Sequence, residues 1–200
     1  MEIYIAIATF CLVTTITPGP NNIMLMTSGL NHGIRNTLPH LFGILVGFPA
    51  MVAAIGFGLG AVFLRYPTVH QAVKVLGIAY LLFLAWKIAN SGNPSANEKL
   101  RKPLTFLQAA AFQWVNPKAW MITIGALAIF TTPGDVPSGV LAIVLGYATV
   151  GSLCMALWLF VGAGLKNMIR SQKYLRYFNV CMGILLVASV VSMALQDLGT

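Results

Sequence analysis

Two short polar stretches interrupt otherwise apolar segments, and they carry residue types suited to binding a small polar molecule. The first, TITPGPNNIML (residues 16–26), places two prolines, a glycine and two asparagines between apolar runs. The second, FQWVNPKAWMI (residues 112–122), places an asparagine, a proline and a lysine in a similar position. Neither polar cluster is needed to build an apolar helix, so each is a candidate for binding chemistry.

Both stretches predict the end of one half-helix and the start of another. Threonine and asparagine are common N-cap residues, and proline favours the first helical position because its missing N–H would be unpaired there. Thr17-Pro18 and Asn116-Pro117 therefore each predict a new helix start. Such a start exposes backbone N–H groups, for example that of Gly19, together with a partial positive charge that favours a carboxylate.

Lys118 stands beside the second of these helix starts. A lysine near the centre of a membrane helix costs roughly 2.5–3.5 kcal/mol on insertion scales. No Asp or Glu lies inside the apolar segments, so we expect Lys118 to lack a partner in the protein and to take its counter-anion from a ligand. The alternative is that the prolines only kink their helices and Lys118 extends to the membrane surface.

The composition is that of an integral membrane protein. Of the 200 residues, 58% are hydrophobic and 8% are charged, against about 25% charged in an ordinary soluble domain. Several apolar segments exceed the roughly 18 residues that indicate a membrane helix. The chain start lacks a basic region and a small-residue cleavage pattern, so we expect its first segment to be retained. Three scattered cysteines argue against a disulfide framework.

Six membrane spans are predicted, at about 3–28, 38–64, 69–90, 105–131, 139–161 and 172–195. Nine of the 12 Lys and Arg residues flank or fill the loops after spans one, three and five, and two lie near the second loop. Because basic residues concentrate in cytoplasmic loops, these three loops are predicted to be cytoplasmic and both termini to lie outside. The net charge of +8 is then a topology signal, and no nucleic-acid partner is expected.

The spans divide into two halves of opposite orientation. Residues 1–200 are treated as one transporter domain, with residues 1–90 as a first three-helix repeat, 91–104 as a cytoplasmic linker and 105–200 as a second repeat. This arrangement predicts the 3+3 inverted repeat of many secondary transporters, with broken helices in spans one and four. At 1.5 Å per residue the breaks lie at depths of roughly 22 and 18 Å, near the middle of a hydrocarbon layer about 30 Å thick.

Other candidates carry weaker signals. Gln113 precedes the second break and is a candidate for lining the site. Gly43 and Gly47 have the spacing that lets helices approach closely, which favours a packing role. His40, at the mouth of span two, could carry protons, whereas His32 falls in a predicted loop and is expected to be solvated.

Four motifs together resemble the LysE/RhtB family of bacterial amino-acid exporters: TPGPNN in span one, NHGIRNTLPHLFGILVG leading into span two, AYLLFLAWKI in span three and NPKAW in span four. The resemblance covers essentially the whole chain. It implies an inner-membrane exporter with six hydrophobic segments that moves amino acids or close derivatives outward, driven by the proton gradient. The family signature falls on Thr17, Pro18, Gly19, Pro20, Asn21, Asn116, Pro117 and Lys118.

These observations predict an all-α membrane protein that acts as a secondary exporter and binds an α-carboxylate at the membrane midplane. The backbone amides of Gly19 and Asn21 would receive the carboxylate with Lys118, while the side chains of Asn21, Asn22 and Asn116 would orient the substrate. The lack of acidic groups in the spans disfavours metal ions and strongly cationic substrates. A neutral, zwitterionic or anionic substrate is therefore expected, with no cofactor and no bound metal.

Two other functional classes stay open, namely a non-transporting membrane assembly subunit and a small-solute channel. An intramembrane enzyme is disfavoured because the spans contain no H-E-x-x-H motif, no paired carboxylates and no Cys-His pair at helical spacing. The expected partners are the amino-acid substrate and membrane lipid. Self-association into a homo-oligomer is left open.

Overall fold

Helices account for nearly all of the chain that the structure describes. The structure is a computed structural model and describes residues 1–90, 102–132, 134–169 and 171–196, so most of the predicted linker lies outside the described residues. The elements are α1 (Glu2–Ile16), α2 (Pro20–Ala54), a π-helical turn (Ile55–Leu59), α3 (Gly60–Arg65), α4 (Pro67–Ala89), α5 (Phe106–Phe112), a 3-10 turn (Gln113–Val115), α6 (Pro117–Phe130), α7 (Val136–Gly146), a second π-helical turn (Tyr147–Gly151), α8 (Ser152–Met168) and α9 (Gln172–Gln196). The all-helical prediction is confirmed for these residues.

Helix α2 joins the end of predicted span one to the start of predicted span two. The chain changes direction inside it at Gly33, whose φ of 78° and ψ of 173° are not helical. This backbone conformation is essentially restricted to glycine, because a Cβ atom would clash with the neighbouring peptide groups. The first loop is therefore a kink at one residue, shorter than the sequence predicts.

Among the described residues, two helical stretches are long and apolar enough to cross a membrane: Pro20–Leu59, which contains the kink at Gly33, and Val136–Lys166. Three further apolar helical stretches are shorter: Glu2–Ile16, Val75–Ala89 and Pro117–Phe130. The first and last of these are short because the chain leaves the α-helical conformation immediately beside them, at residues 17–19 and 113–116. The number of spans stays a prediction.

Helices α2 and α8 pack most extensively against each other, and glycines allow their backbones to approach. Gly162 lies directly against the carbonyl oxygen of Met26, and a Cβ atom at Gly29 would lie 2.6 Å from the carbonyl oxygen of Leu159. In a membrane, where helix association depends on close packing and not on the hydrophobic effect, such contacts are a main source of stability. They make α2 and α8 a fixed pair.

The glycine pair predicted to serve packing does so. Gly43 lies against the carbonyl oxygen of Phe106, and a Cβ atom at Gly47 would lie 2.6 Å from the Cα atom of Ala110. Both contacts are with α5, which precedes the second break. The packing prediction for Gly43 and Gly47 is confirmed.

The two halves of the chain are interleaved. Helix α1 packs against α7 and the π-helical turn that follows it, where Gly146 faces Ile7 and Cys11. Helix α5 packs in the corresponding way against α2. Each half-helix that precedes a break therefore rests on the other half of the chain, and this brings the two breaks together.

Gly162→Ala should destabilise the protein by about 1–3 kcal/mol, because the new methyl group would overlap the Met26 carbonyl and force α2 and α8 apart. Gly164→Ala is the matched control, since a Cβ atom there meets nothing within 4 Å. Thermal unfolding in detergent measures both variants. Equal melting temperatures would contradict the packing described for α8.

Candidate functional site

The first break separates α1 from α2. Thr17 has extended backbone geometry (φ −64°, ψ 134°), and its hydroxyl donates hydrogen bonds to the carbonyl oxygens of Val13 at 3.0 Å and Thr14 at 3.1 Å. The Thr17 side chain thus closes the end of α1. The prediction that Thr17 caps the following helix is wrong.

Helix α2 begins at the second proline of the TPGP motif. Gly19 is its N-cap, with no side-chain cap among the described residues, and Pro20 occupies the start of the helix. The prediction that Pro18 takes this position is also wrong, since Pro18 lies in the link between the helices. The start of α2 is thereby left without a capping side chain, a feature that favours an anionic ligand.

The second break follows the sequence prediction closely. Helix α5 tightens into the 3-10 turn, and Asn116 then adopts an extended conformation (φ −86°, ψ 109°). The Asn116 side-chain oxygen accepts a hydrogen bond from the backbone N–H of Lys118 at 3.2 Å, and Pro117 lies at the start of α6. The side chain of Asn116 therefore caps the start of α6, whereas no side chain caps the start of α2 among the described residues.

Lys118 connects the two breaks. Its Nζ donates to the Thr17 carbonyl oxygen at 2.6 Å, the Thr17 hydroxyl at 3.0 Å and the Pro18 carbonyl oxygen at 3.4 Å. The prediction of a lysine without a protein partner is wrong, because these acceptors use all three ammonium hydrogens. They are neutral groups at the negative end of α1, so the charge of Lys118 has no carboxylate among its described contacts.

A buried amide pair connects the breaks a second time. Asn21 Nδ2 donates to Gln113 Oε1 at 2.8 Å, and Gln113 Nε2 donates to Asn21 Oδ1 at 3.3 Å and to the carbonyl oxygen of Ala109 at 2.8 Å. Gln113 is fully buried. Its position behind Asn21 indicates that it orients this asparagine.

A cavity of ≈ 50 Å³ lies between the breaks. Of the residues predicted to bind substrate, the cavity is lined by Asn21, Asn22, Asn116 and Lys118. Its described lining does not include Thr17, Pro18, Gly19, Pro20, Gln113 or Pro117. The latter group shapes the two breaks and holds the lining residues in place.

Sequence reasoning missed the hydroxyl-bearing wall of the cavity. Thr14 and Tyr147 line it, and their hydroxyl oxygens are 3.0 Å apart. Asn22 donates to the carbonyl oxygen of Thr15 at 2.7 Å on the same side. The only sequence signal for Tyr147 is a tyrosine within an apolar span, which is too common to single out a site.

The remaining wall is apolar and includes Ile44, Phe48 and Met155. The Phe48 ring packs edge to face on the Tyr147 ring, with centroids 4.8 Å apart. An apolar wall beside fixed polar groups is the usual construction of a small-molecule site.

The charged and polar groups around the cavity suit a molecule that carries a negative charge at one end and a positive charge at the other. The start of α2 and the ammonium group of Lys118 provide positive potential, whereas the hydroxyls of Thr14 and Tyr147 provide acceptors. No acidic side chain is among the described lining residues. This geometry suits a carboxylate on one side and an ammonium group on the other.

A polar cavity between interrupted apolar helices is typical of membrane transport proteins. The family model described as "LysE type translocator" matches residues 12–196, and the chain therefore belongs to this family of amino-acid efflux transporters. The resemblance found in the sequence motifs is confirmed. Membership places the chain among transporters and not among enzymes.

Curated relatives match along most of the chain. It is 34% identical to the "Cysteine/O-acetylserine efflux protein" of Salmonella paratyphi A over 188 residues, which are 92% of this chain and 93% of the relative. The protein of the same name from Escherichia coli K12 is 32% identical, with the same coverage. No solved structure matches the chain.

Asn21→Ala and Gln113→Ala should each destabilise the protein by about 1–3 kcal/mol, because each leaves a buried amide without its partner. The double variant should be less destabilised than the sum of the two, with a coupling of at least about 0.5 kcal/mol. Asn36→Ala is the control and should combine additively with Gln113→Ala, because Asn36 is exposed and its one hydrogen bond within the described residues is to the nearby His32 carbonyl oxygen. Unfolding in detergent measures the cycle. If the losses of stability from Asn21→Ala and Gln113→Ala were additive, the two amides would not be coupled, and the described pair would be refuted.

Proposed function

We propose that this chain is a secondary exporter of a small zwitterionic amino acid, of the class of cysteine or O-acetylserine, across the bacterial inner membrane. The observation that carries the proposal is the cavity between the two helix breaks, which has Lys118 and the uncapped start of α2 on one side and hydroxyl groups on the other. The names of the curated relatives support this substrate class.

The substrate carboxylate would bind at the start of α2. Helix α6 already has Asn116 as its cap, whereas α2 has no capping side chain among the described residues. Lys118 is within reach of the same place, since its Nζ lies 2.6 Å from the Thr17 carbonyl oxygen. On binding, Lys118 would exchange a contact with a neutral carbonyl oxygen for an ion pair with the carboxylate.

The substrate ammonium group would bind on the opposite wall. The hydroxyls of Thr14 and Tyr147 supply acceptors there. Recognition of both ends together would select free amino acids over simple carboxylic acids and amines.

The size of the cavity supports a small substrate. A volume of ≈ 50 Å³ is far below the roughly 300–1,000 Å³ of drug-sized ligand sites. The apolar wall that contains Phe48 and Met155 would contact the substrate side chain. A thiol or a short ester fits this wall better than a large or charged side chain.

The membrane arrangement is proposed as six spans in a 3+3 inverted repeat, with the cavity at the midplane and alternating access by movement of one repeat against the other. Burial and the positive charges of Lys87 and Lys166 lower the pKa of His32 to about 4, which supports a position on the same side of the membrane for the loops after spans one, three and five. Both termini then lie outside. The proton gradient is the proposed driving force, as the family resemblance implies.

Lys118→Ala should slow export at least about tenfold, since a charge-assisted hydrogen bond to the substrate contributes about 1.5–3 kcal/mol. Cells preloaded with labelled O-acetylserine or cysteine are compared for efflux with the unsubstituted protein, the variant and no transporter. Lys173→Ala is the control, because Lys173 is exposed on α9, away from the cavity lining.

Membrane abundance of each variant is measured in parallel, so that a folding defect is separated from a transport defect. Export by Lys118→Ala at the unsubstituted rate would overturn the proposed site. Saturable, exchangeable transport supports an exporter, whereas unsaturable flux would favour the channel.

Tyr147→Phe should raise the half-saturating substrate concentration about tenfold, because the hydroxyl that bonds to Thr14 and would accept from the ammonium group is lost while the ring packing against Phe48 is kept. Tyr174→Phe, an exposed tyrosine on α9, is the matched control. Initial export rates at graded substrate concentrations give the result. An unchanged half-saturating concentration would show that the Tyr147 hydroxyl does not bind the substrate.

A further inference from the structure

Residues from both sides of the Gly33 kink in α2 line a second cavity, of ≈ 40 Å³. Thr27 comes from the first part of the helix and His40 from the second. Lys102, also in the lining, is exposed, so the cavity reaches the protein surface. His32 is half-buried in the same lining, and the sequence prediction that it is a solvated loop residue is therefore wrong.

His40 is a buried polar residue whose hydrogen bonds are unmade. Its side chain is 2% exposed, and neither ring nitrogen has a hydrogen-bond partner within the described part of the chain. The Thr27 hydroxyl is likewise without a partner among those residues. Ser28 in the same lining differs, because its hydroxyl is 3.0 Å from that of Thr37. Buried polar groups are almost always paired, so His40 and Thr27 indicate a site for something that the protein itself does not supply.

The unmade hydrogen bonds match water. A neutral imidazole has one donor and one acceptor, and a hydroxyl group also has both. Water donates and accepts, so the same few molecules can pair with His40 and with Thr27. Empty cavities in proteins are apolar, whereas polar ones hold water, and ≈ 40 Å³ has room for about three water molecules.

His40 can change its protonation state without breaking a described hydrogen bond. Histidine is the side chain that titrates most readily near neutral pH, and both of its nitrogens here are without partners among the described residues. Lys118 differs, because its ammonium group already donates to Thr17 and Pro18 and would hold the substrate carboxylate. His40 is therefore better suited than Lys118 to pass on a proton.

The titratable groups that face His40 come from three elements. They are His32 from the first part of α2, Lys87 from α4 and Lys102 from the segment before α5. Helices α5, α8 and α9 contribute no titratable group to the described lining, and none of the described lining residues is acidic. No described carboxylate of the cavity would retain a proton on His40, so the proton can be released to water.

A thin apolar layer separates His40 from the central cavity. Ile44 lines the central cavity and His40 the second one, a separation of four residues or about 6 Å along α2. Leu84 and Leu104 line the second cavity and belong to the same buried apolar cluster as Ile44. In the described conformation His40 therefore faces the second cavity and the surface near Lys102, and the layer closes it off from the central cavity.

We propose that the second cavity is a hydrated proton path on the cytoplasmic side and that His40 carries the proton that is exchanged for the exported amino acid. A proton from water in the central cavity would bind one ring nitrogen when the apolar layer opens. After the layer closes, the same N–H bond would break and the proton would pass to water in the second cavity. The coupling rests on the proposed function, whereas the hydrated site rests on the unpaired groups of the lining.

The first test does not involve transport. Hydrogen–deuterium exchange at the imidazole Cε1–H, followed by mass spectrometry of the purified protein, reports for each histidine whether the ring meets water and titrates. His40 should exchange at a rate comparable to that of the half-buried His32, although it is 2% exposed. A His40 ring that stays unexchanged would overturn the hydrated path.

The second test separates proton coupling from substrate binding. In proteoliposomes with an acidic interior, the unsubstituted protein should accumulate labelled O-acetyl-L-serine, because protons leave as the substrate enters. His40→Gln should lower this gradient-driven uptake at least about tenfold, since glutamine cannot carry the proton. Exchange of labelled for unlabelled O-acetyl-L-serine at equal pH should stay at the unsubstituted rate, and this exchange also shows that the variant is folded.

Thr27→Val tests the water separately, without removing the histidine. It should slow gradient-driven uptake about fivefold, the equivalent of one lost hydrogen bond, and leave the exchange unchanged. Thr123→Val is the matched control, because Thr123 is also fully buried with a hydroxyl unpaired among the described residues but lies outside the described lining of both cavities. It should leave both rates unchanged.

The outcomes distinguish the two proposals. If the unsubstituted protein moved no O-acetyl-L-serine while His40 exchanged its Cε1 hydrogen, the proposed function would be refuted and the hydrated site kept. Gradient-driven uptake by His40→Gln at the unsubstituted rate would overturn the proton path and leave the exporter. Loss of substrate exchange together with gradient-driven uptake in this variant would also overturn it, because His40 would then serve substrate binding or folding.

Discussion

Backbone polar groups in a membrane need partners within the protein, and this constraint shapes the centre of the molecule. The break after α1 frees carbonyl groups that no following helical turn can satisfy. Lys118 donates to two of these carbonyls, those of Thr17 and Pro18, and Asn22 donates to that of Thr15. Because Lys118 comes from the other half of the chain, satisfying the first break requires the second break to lie beside it.

The contrast between packed and polar contacts indicates which parts can move. Helices α2 and α8 meet through glycine contacts such as that of Gly162 with the Met26 carbonyl, which admit little displacement. The contacts across the breaks are hydrogen bonds to neutral acceptors, made by Lys118 and by the Asn21–Gln113 pair, and a charged ligand can replace those of Lys118. Under the proposed function, movement would therefore occur most easily at the breaks, while the glycine-packed pair stays rigid.

The sequence predicts the second break better than the first for a local reason. Asn116-Pro117 allows one arrangement of cap and first residue, and the structure has it. The TPGP motif contains two prolines, and either could occupy the first position of α2. Pro20 does so because the Thr17 hydroxyl is hydrogen-bonded to α1 and does not cap the following helix. Four of the predicted binding residues line the cavity, whereas Tyr147 and the partners of Lys118 depend on tertiary contacts. The carbonyl groups that Lys118 contacts lie about a hundred positions earlier in the chain, and because every residue has a carbonyl group, the sequence gives no sign of which ones are involved.

The most direct measurement is equilibrium binding of labelled O-acetyl-L-serine to the purified protein, in competition with its methyl ester, which lacks the carboxylate, and its N-acetyl derivative, which lacks the ammonium group. A site with Lys118 and the start of α2 on one wall and hydroxyls on the other should bind both analogues at least about tenfold more weakly than the free amino acid. Equal competition by the methyl ester would contradict a carboxylate site between the two helix breaks.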